Sequence, residues 1–171
     1  LLNGGYEKDI IIEVEALRYL DIKKNYSRKK NKSDDRILIC GDFSHKLNNY
    51  LITINNKLLK FYNVDFLPHP TSKINHSISN LVNGKLTDLL HNYKIIITSS
   101  VSSSAVDAYE NRKNVYQYVE EEGLNFSALS GLEKVIFFNK FEKLHNELKS
   151  KKVSYDKTKK SFFFLDKNLN R

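Results

Sequence analysis

The residues best suited to chemistry are a group of serines that follows a β-branched run and directly precedes a helical pattern. They are Ser99, Ser100, Ser102, Ser103 and Ser104. Hydroxyl groups donate hydrogen bonds, and the first backbone N–H groups of a helix have no partner within it. Such a segment favours an anion, so the sequence predicts a phosphate-binding loop. Asp107 has capping-box spacing from Ser104 and is interpreted as a structural residue rather than a catalytic acid.

Two other loops carry groups that could meet the same ligand. In Pro68-His69-Pro70 the prolines hold the backbone extended, and the imidazole could donate a hydrogen bond to phosphate. In Gly41-Asp42-Phe43-Ser44, Gly41 permits a close backbone approach and Ser44 could cap the next helix. The alternatives are a surface histidine in a proline turn and an ordinary glycine turn.

A cluster of glutamates, Glu120 to Glu122, precedes Gly123. A carboxylate just past a strand can accept the hydroxyls of a ribose, and we assign that role to Glu120 alone, since adjacent glutamates also form solvated turns. The histidines other than His69 are scattered singly, so no metal site is predicted. Motifs of classical dinucleotide enzymes, P-loop enzymes, zinc hydrolases and serine hydrolases do not occur.

These loops require a framework that brings them together. Apolar runs typical of strands cover Ile37 to Cys40, Val64 to Leu67, Lys94 to Thr98, Asn114 to Val119 and Lys134 to Phe138. Helical patterns cover Leu47 to Tyr62, Ile78 to Asn92, Ser104 to Arg112 and Lys140 to Lys151. Alternating strands and helices indicate βαβ units and a parallel sheet, whose ligands bind at the carboxyl ends of the strands. The predicted fold is a three-layer α/β/α Rossmann-like domain with a mainly parallel sheet.

Length and composition limit the number of domains. The 171 residues, 40% of them hydrophobic, suffice for one domain. We predict an N-terminal segment with a basic linker in residues 1–34, the Rossmann-like domain in 35–153 and a tail in 154–171. The tail includes Ser161-Phe-Phe-Phe-Leu165, expected to pack as an added strand or strap. Because methionine is absent, we expect a piece of a longer protein. Cys40, in an apolar run, is expected to be a buried thiol in a reducing compartment.

The net charge of +8 is concentrated in two clusters, Lys23 to Lys32 and Lys149 to Lys160. Such clusters could contact nucleic acid, anionic lipid or a phosphorylated substrate. Neither carries the aromatic residues of single-strand binders, so solvated linkers are favoured. No apolar run approaches the ~20 residues of a membrane span.

The combination of His69-Pro70 after one strand with Ile-Ile-Thr-Ser-Ser at the end of the next resembles the C-terminal half of GT-B glycosyltransferases. It is most similar to those with cytidine-activated donors: bacterial sialyltransferases, Kdo transferases and CDP-glycerol polymerases. Val14 to Leu20 and Leu124 to Leu129 also resemble bacterial surface carbohydrate biosynthesis proteins, although Ala128 stands where those often have proline. The resemblance covers roughly residues 11–150 and leaves the donor open.

The resemblance implies one half of a GT-B fold, in which His69 and the serines hold the phosphate of a CMP- or CDP-type sugar donor. That donor is a substrate, and no separate cofactor is implied. A glycan or lipid-linked acceptor would bind through an N-terminal half, so the fragment alone is expected to be inactive. The resemblance implies a location in the cytoplasm or at the inner face of the membrane. It implies no nucleic-acid partner. The alternatives are a non-catalytic nucleotide- or carbohydrate-binding module and a basic nucleic-acid-binding domain.

Overall fold

A computed structural model of the chain describes residues 7, 9, 35–72, 78–132 and 135–150. The chain divides into two compact units, residues 30–157 and residues 1–29 with 158–171, and all the elements below belong to the first. The predicted N-terminal segment, the first basic cluster, most of the second and the phenylalanine-rich tail lie outside the described residues.

The described elements alternate along the chain. The strands are β1 (Ile37–Cys40), β2 (Val64–Leu67), β3 (Ile95–Ser99), β4 (Asn114–Tyr118) and β5 (Val135–Phe138). The α-helices are α1 (His45–Leu58), the single turn α2 (Leu86–Leu89), α3 (Ser104–Glu110) and α4 (Phe141–Ser150), and a 3₁₀ turn covers Leu90–Asn92. Within the described part of the chain, no helix has the length and apolar character needed to cross a bilayer.

The strands form one sheet in the order β2-β1-β3-β4-β5, and every neighbouring pair is parallel. This confirms the predicted α/β class with a parallel sheet. The chain first moves from β1 to β2 and then crosses to β3 on the opposite side of β1. The strand order therefore reverses between β1 and β3, and in such sheets ligands bind in the crevice outside the carboxyl ends at that point.

The apolar run of β1 follows from its central position. Ile37, Leu38 and Ile39 are all fully buried, because a central parallel strand is covered on both faces. The face that carries Ile37 and Ile39 packs against the buried residues of α1 and α4. The opposite face of the sheet is covered by α3, which packs on β3 and β4.

The second predicted helix, Ile78 to Asn92, is wrong over its first half. Only α2 and the 3₁₀ turn are helical, because Gly84 has a φ of 136°, which no helix contains. Upstream, the side-chain amides of Asn80 and the fully buried Asn55 exchange hydrogen bonds of 2.9 and 3.0 Å. Asn80 also donates to the Val64 carbonyl at 2.8 Å, and these bonds hold an irregular segment against α1.

The first predicted helix is displaced along the chain. α1 begins at His45 and ends at Leu58, where the N–H groups of Phe61 and Tyr62 turn back to the Leu58 carbonyl. The helical spacing of Leu51, Ile54, Leu58 and Phe61 predicts one apolar face. Leu51, Ile54 and Leu58 are buried, whereas Phe61 lies beyond the helix and is 60% exposed, so the prediction is wrong for Phe61.

The buried thiol predicted at Cys40 is confirmed. Burial raises the pKa of Cys40 from 9.0 to about 12, with an opposing contribution from the hydrogen bond to Ser104. The thiolate is the reactive form, so iodoacetamide should react with the native protein more than about tenfold more slowly than with the urea-unfolded protein at neutral to mildly basic pH. Because the folded pKa is raised, the protonated thiol stabilises the fold fully below pH 9.0, and this contribution declines as the pH rises through about 12.

Thiol labelling followed by mass spectrometry measures both rates, and the single cysteine makes the signal unambiguous. Equal labelling rates in the native and unfolded protein would contradict the buried position of Cys40.

Candidate functional site

The loops after β1 and β2 are in direct contact at the carboxyl edge of the sheet. Gly41 donates its N–H to the Leu67 carbonyl at 2.8 Å, and the Ser72 hydroxyl donates to the Asp42 carbonyl at 3.1 Å. A Cβ at Gly41 would lie 2.8 Å from Asn48 Oδ1 and 3.1 Å from the backbone nitrogen of His69. The close approach expected of Gly41 is thus one between two protein loops, and a ligand contact for it stays a prediction.

Asp42 joins the loop after β1 to the end of β3. Its side chain is 1% exposed; Oδ1 accepts the Ser44 N–H at 2.8 Å, and Oδ2 accepts the Ser99 hydroxyl in a short hydrogen bond. Its own N–H donates to Asn48 Oδ1 at 3.2 Å. A carboxylate at the start of α1 is stabilised by the helix dipole, so Asp42 occupies a position where a phosphate could otherwise bind.

The buried polar network continues from β3 to the loop after β4. Gln117 is fully buried, donates from Nε2 to the Ser99 carbonyl at 3.0 Å and accepts the Ser127 hydroxyl on Oε1 at 2.5 Å. Ser127 Oγ in turn accepts the Leu129 N–H at 3.0 Å. Because each of these groups is paired away from water, the network stabilises one conformation of the loops around the end of β3.

Most hydroxyl groups of the predicted serine loop already make hydrogen bonds within the protein. Ser99 is fully buried, and its hydroxyl is used by Asp42. The hydroxyls of Ser102 and Ser104 lie 2.6 Å apart and pair with each other. Among the described residues, the Ser100 and Ser103 hydroxyls have no hydrogen-bond partner, so these two are the serines best placed to reach a ligand.

The start of α3 differs from the expected cap. Ser103, not Ser104, is the N-cap residue, and its side chain makes no capping bond. The N–H groups of Ala105 and Val106 already donate to the carbonyls of Ser102 and Ser103 at 3.3 and 3.0 Å. These first-turn amides are therefore not available to an anion, contrary to the expectation of a row of free N–H groups.

Ser44 is the N-cap of α1 by position, as predicted, but its side chain makes no capping hydrogen bond. The Asp42 carboxylate accepts the Ser44 N–H instead. The half-buried Ser44 hydroxyl remains at the edge of the site.

His69 is held in one tautomer by Thr71. The Thr71 N–H donates to His69 Nδ1 at 3.3 Å, and the Thr71 hydroxyl lies 2.8 Å from the same nitrogen. Nδ1 therefore accepts, and the neutral ring carries its proton on Nε2. Nε2 has no hydrogen-bond partner within the described ranges, so a directed N–H donor is present beside the loop after β1.

Glu120 and Glu121 form ion pairs at the rim. Lys46, in the first turn of α1, lies 2.5 Å from Glu120, and Lys140 lies 2.8 Å from Glu121. Hydrogen bonding to these carboxylates raises the pKa of both lysines. The predicted ribose contact of Glu120 stays a prediction, and it would compete with Lys46.

The structure brings Gly41, Ser44, His69 and the serine loop to one edge of the sheet, as the topology predicted, and it places Glu120 at the rim beside α1. The predicted site residues do not include Asp42, Gln117 or Ser127. A polar residue inside a strand that is otherwise apolar, such as Gln117, was the signal that could have identified the buried network.

Comparisons with known proteins find distant similarity to solved structures. No protein-family model matches the sequence, and no curated protein matches it significantly. A crystal structure of "the Glycotransferase of kitacinnamycin" aligns with a TM-score of 0.47 and 10% sequence identity. The aligned region covers 72% of this chain and 37% of that chain, so this chain corresponds to well under two thirds of that protein.

Proposed function

We propose that the described domain binds the nucleotide-activated sugar donor of a glycosyltransferase, with a CMP- or CDP-type nucleotide, in the synthesis of a bacterial surface polysaccharide. A glycan or lipid-linked acceptor would be bound together with a second domain, at the cytoplasmic side of the membrane. The observation that carries the proposal is the directed Nε2–H donor of His69 after β2, together with the hydroxyls of Ser100 and Ser103 after β3, which have no partner among the described residues.

The arrangement suits the phosphate of a nucleotide for geometric reasons. His69 follows β2 and the serine loop follows β3, and these two strands flank β1. A ligand bound beyond the carboxyl end of β1 would therefore have hydrogen-bond donors on both sides. The start of α1 already holds the Asp42 carboxylate, which would repel an anion placed there. A phosphate is therefore expected between the His69 loop and the Ser100–Ser103 segment.

The chemistry supplied by these residues is stabilisation of the leaving group. When the sugar is transferred, negative charge develops on the nucleotide phosphate, and pre-oriented N–H and O–H donors stabilise that charge more than they stabilise the bound substrate. Because Nδ1 of His69 accepts from Thr71, Nε2 is the nitrogen that can donate to the phosphate. The motifs shared with cytidine-dependent GT-B enzymes support the choice of nucleotide.

Calorimetric titration of the 171-residue chain with CMP, CDP, UDP and GDP tests the proposal. We expect CMP or CDP to bind most tightly and His69→Ala to weaken binding about tenfold or more, since a hydrogen bond to a charged group contributes ~1.5 to 3 kcal/mol. The melting temperature should change little, because the half-buried His69 ring bonds only to Thr71 among the described residues.

His91→Ala is the matched control, because His91 is also half-buried but lies before β3, at the other edge of the sheet. It should leave nucleotide affinity unchanged. Tighter binding of UDP or GDP would contradict the cytidine assignment, and no binding at millimolar concentration would contradict nucleotide binding by this domain. Tight, strongly salt-dependent binding of random single-stranded RNA would instead favour a nucleic-acid-binding domain.

A further inference from the structure

Phe43 is a large aromatic side chain exposed at the centre of the candidate site. It is 64% exposed although it lies in the loop directly after the central strand β1. The residues on both sides of it are fixed: Asp42 donates its N–H to Asn48 at 3.2 Å, and Ser44 donates its N–H to Asp42 at 2.8 Å. The ring is therefore presented from a rigid loop rather than from a mobile one.

The ring of Phe43 lies next to the proposed phosphate donor. Its centroid is 6.2 Å from that of His69, and the two rings meet edge to face with an interplanar angle of 62°. His69 is anchored by Thr71, so the relative position of the two rings is set by hydrogen bonds on both sides. A ligand whose phosphate accepts from His69 would have the Phe43 ring within reach.

We propose that Phe43 is the stacking platform for the base of the bound nucleotide. This inference rests on the proposed nucleotide-binding function and adds the part of the ligand that Phe43 recognises. A single ribose joins base and phosphate in a nucleotide, so one ligand can meet a phosphate donor and a neighbouring aromatic ring together. Every base has a π-face, so Phe43 provides affinity for a base in general, and the choice among bases depends on other contacts.

Because the chain contains no tryptophan, a tryptophan introduced by substitution is the sole source of tryptophan fluorescence. Phe43→Trp places a single tryptophan at the platform, and Phe61→Trp places one at a similarly exposed position, 60% exposed, beyond α1. We expect CMP to quench the fluorescence of Phe43→Trp with the affinity found by calorimetry and to leave Phe61→Trp unchanged. Ribose 5-phosphate, which has no base, should quench neither variant.

Phe43→Ala provides a second, independent measurement. It should weaken CMP binding about tenfold, the loss expected for one base–aromatic stack, and leave the affinity for ribose 5-phosphate unchanged. Circular dichroism melting establishes that each variant is folded. An equal loss of affinity for CMP and ribose 5-phosphate would mean that Phe43 shapes the phosphate site instead, and would overturn the inference.

The failure of this inference can be separated from failure of the proposed function. If the unmodified chain binds CMP but Phe43→Ala binds it equally tightly, stacking on Phe43 is wrong and nucleotide binding stands. If the unmodified chain binds none of the four nucleotides, both the function and the stacking role are wrong.

Discussion

Replacing Asp42 by alanine is expected to lower the free energy of unfolding by about 3 kcal/mol. The substitution leaves the buried Ser99 hydroxyl and the Ser44 N–H without their acceptor, and each unsatisfied buried group costs ~1 to 3 kcal/mol. Urea denaturation followed by circular dichroism measures the change. Asp88→Ala is the control, because Asp88 is exposed on α2, and its effect should stay within about 0.5 kcal/mol.

Asp42→Asn separates loss of charge from loss of the acceptor. The amide keeps one oxygen, which can accept only part of what the carboxylate accepts, so its destabilisation should be smaller than that of Asp42→Ala. An Asp42→Ala protein as stable as Asp88→Ala would show that the network around the end of β3 contributes nothing to stability.

Gln117→Ala is expected to lower the free energy of unfolding by about 2 to 3 kcal/mol. The fully buried amide satisfies the Ser127 hydroxyl and one bond to the Ser99 carbonyl, and its removal also leaves a cavity within the sheet. The same urea denaturation measures this, with Asn63→Ala as the control, because Asn63 is exposed just before β2 and bonds through its backbone carbonyl.

The two substitutions should not be additive, because Asp42 and Gln117 both hold Ser99. In a double-mutant cycle we expect an interaction energy of at least about 0.5 kcal/mol, since residues of one hydrogen-bond network couple. Strict additivity would mean that the two bonds to Ser99 form independently and that the network does not act as a unit.

The sequence by itself determined the sheet and the edge at which its loops meet. All five strands fall within a residue of their predicted bounds, because short runs rich in β-branched residues, such as Ile37 to Cys40 and Ile95 to Thr98, are typical of strands covered on both faces. Parallel pairing follows from the alternation with helices, since parallel strands require crossover connections. The location of Gly41, His69 and the serine loop at the carboxyl edge is a consequence of that topology.

Hydrophobic periodicity gave a wrong helix for residues 78–85, because the backbone conformation of Gly84 and the hydrogen bonds of a buried amide prevent a helix there. Leu81, Leu86 and Leu89 have helical spacing, but Gly84 adopts a φ of 136°, and the Asn80 side chain is committed to Asn55 and Val64. Those partners lie 25 and 16 residues away along the chain, so no local pattern could show them.

The tertiary structure alone decided which polar groups face inward at the site. Ser99 and Ser100 are adjacent and chemically identical, yet one hydroxyl is buried against Asp42, 57 residues away, and the other is not. Ser99 is the last residue of β3 and is held by the sheet opposite Tyr118, whereas Ser100 lies just past the end of the strand. Which hydroxyls stabilise the fold and which are left for a ligand is therefore a property of the packed sheet, since a hydroxyl's partner is chosen by distance in space and not in sequence.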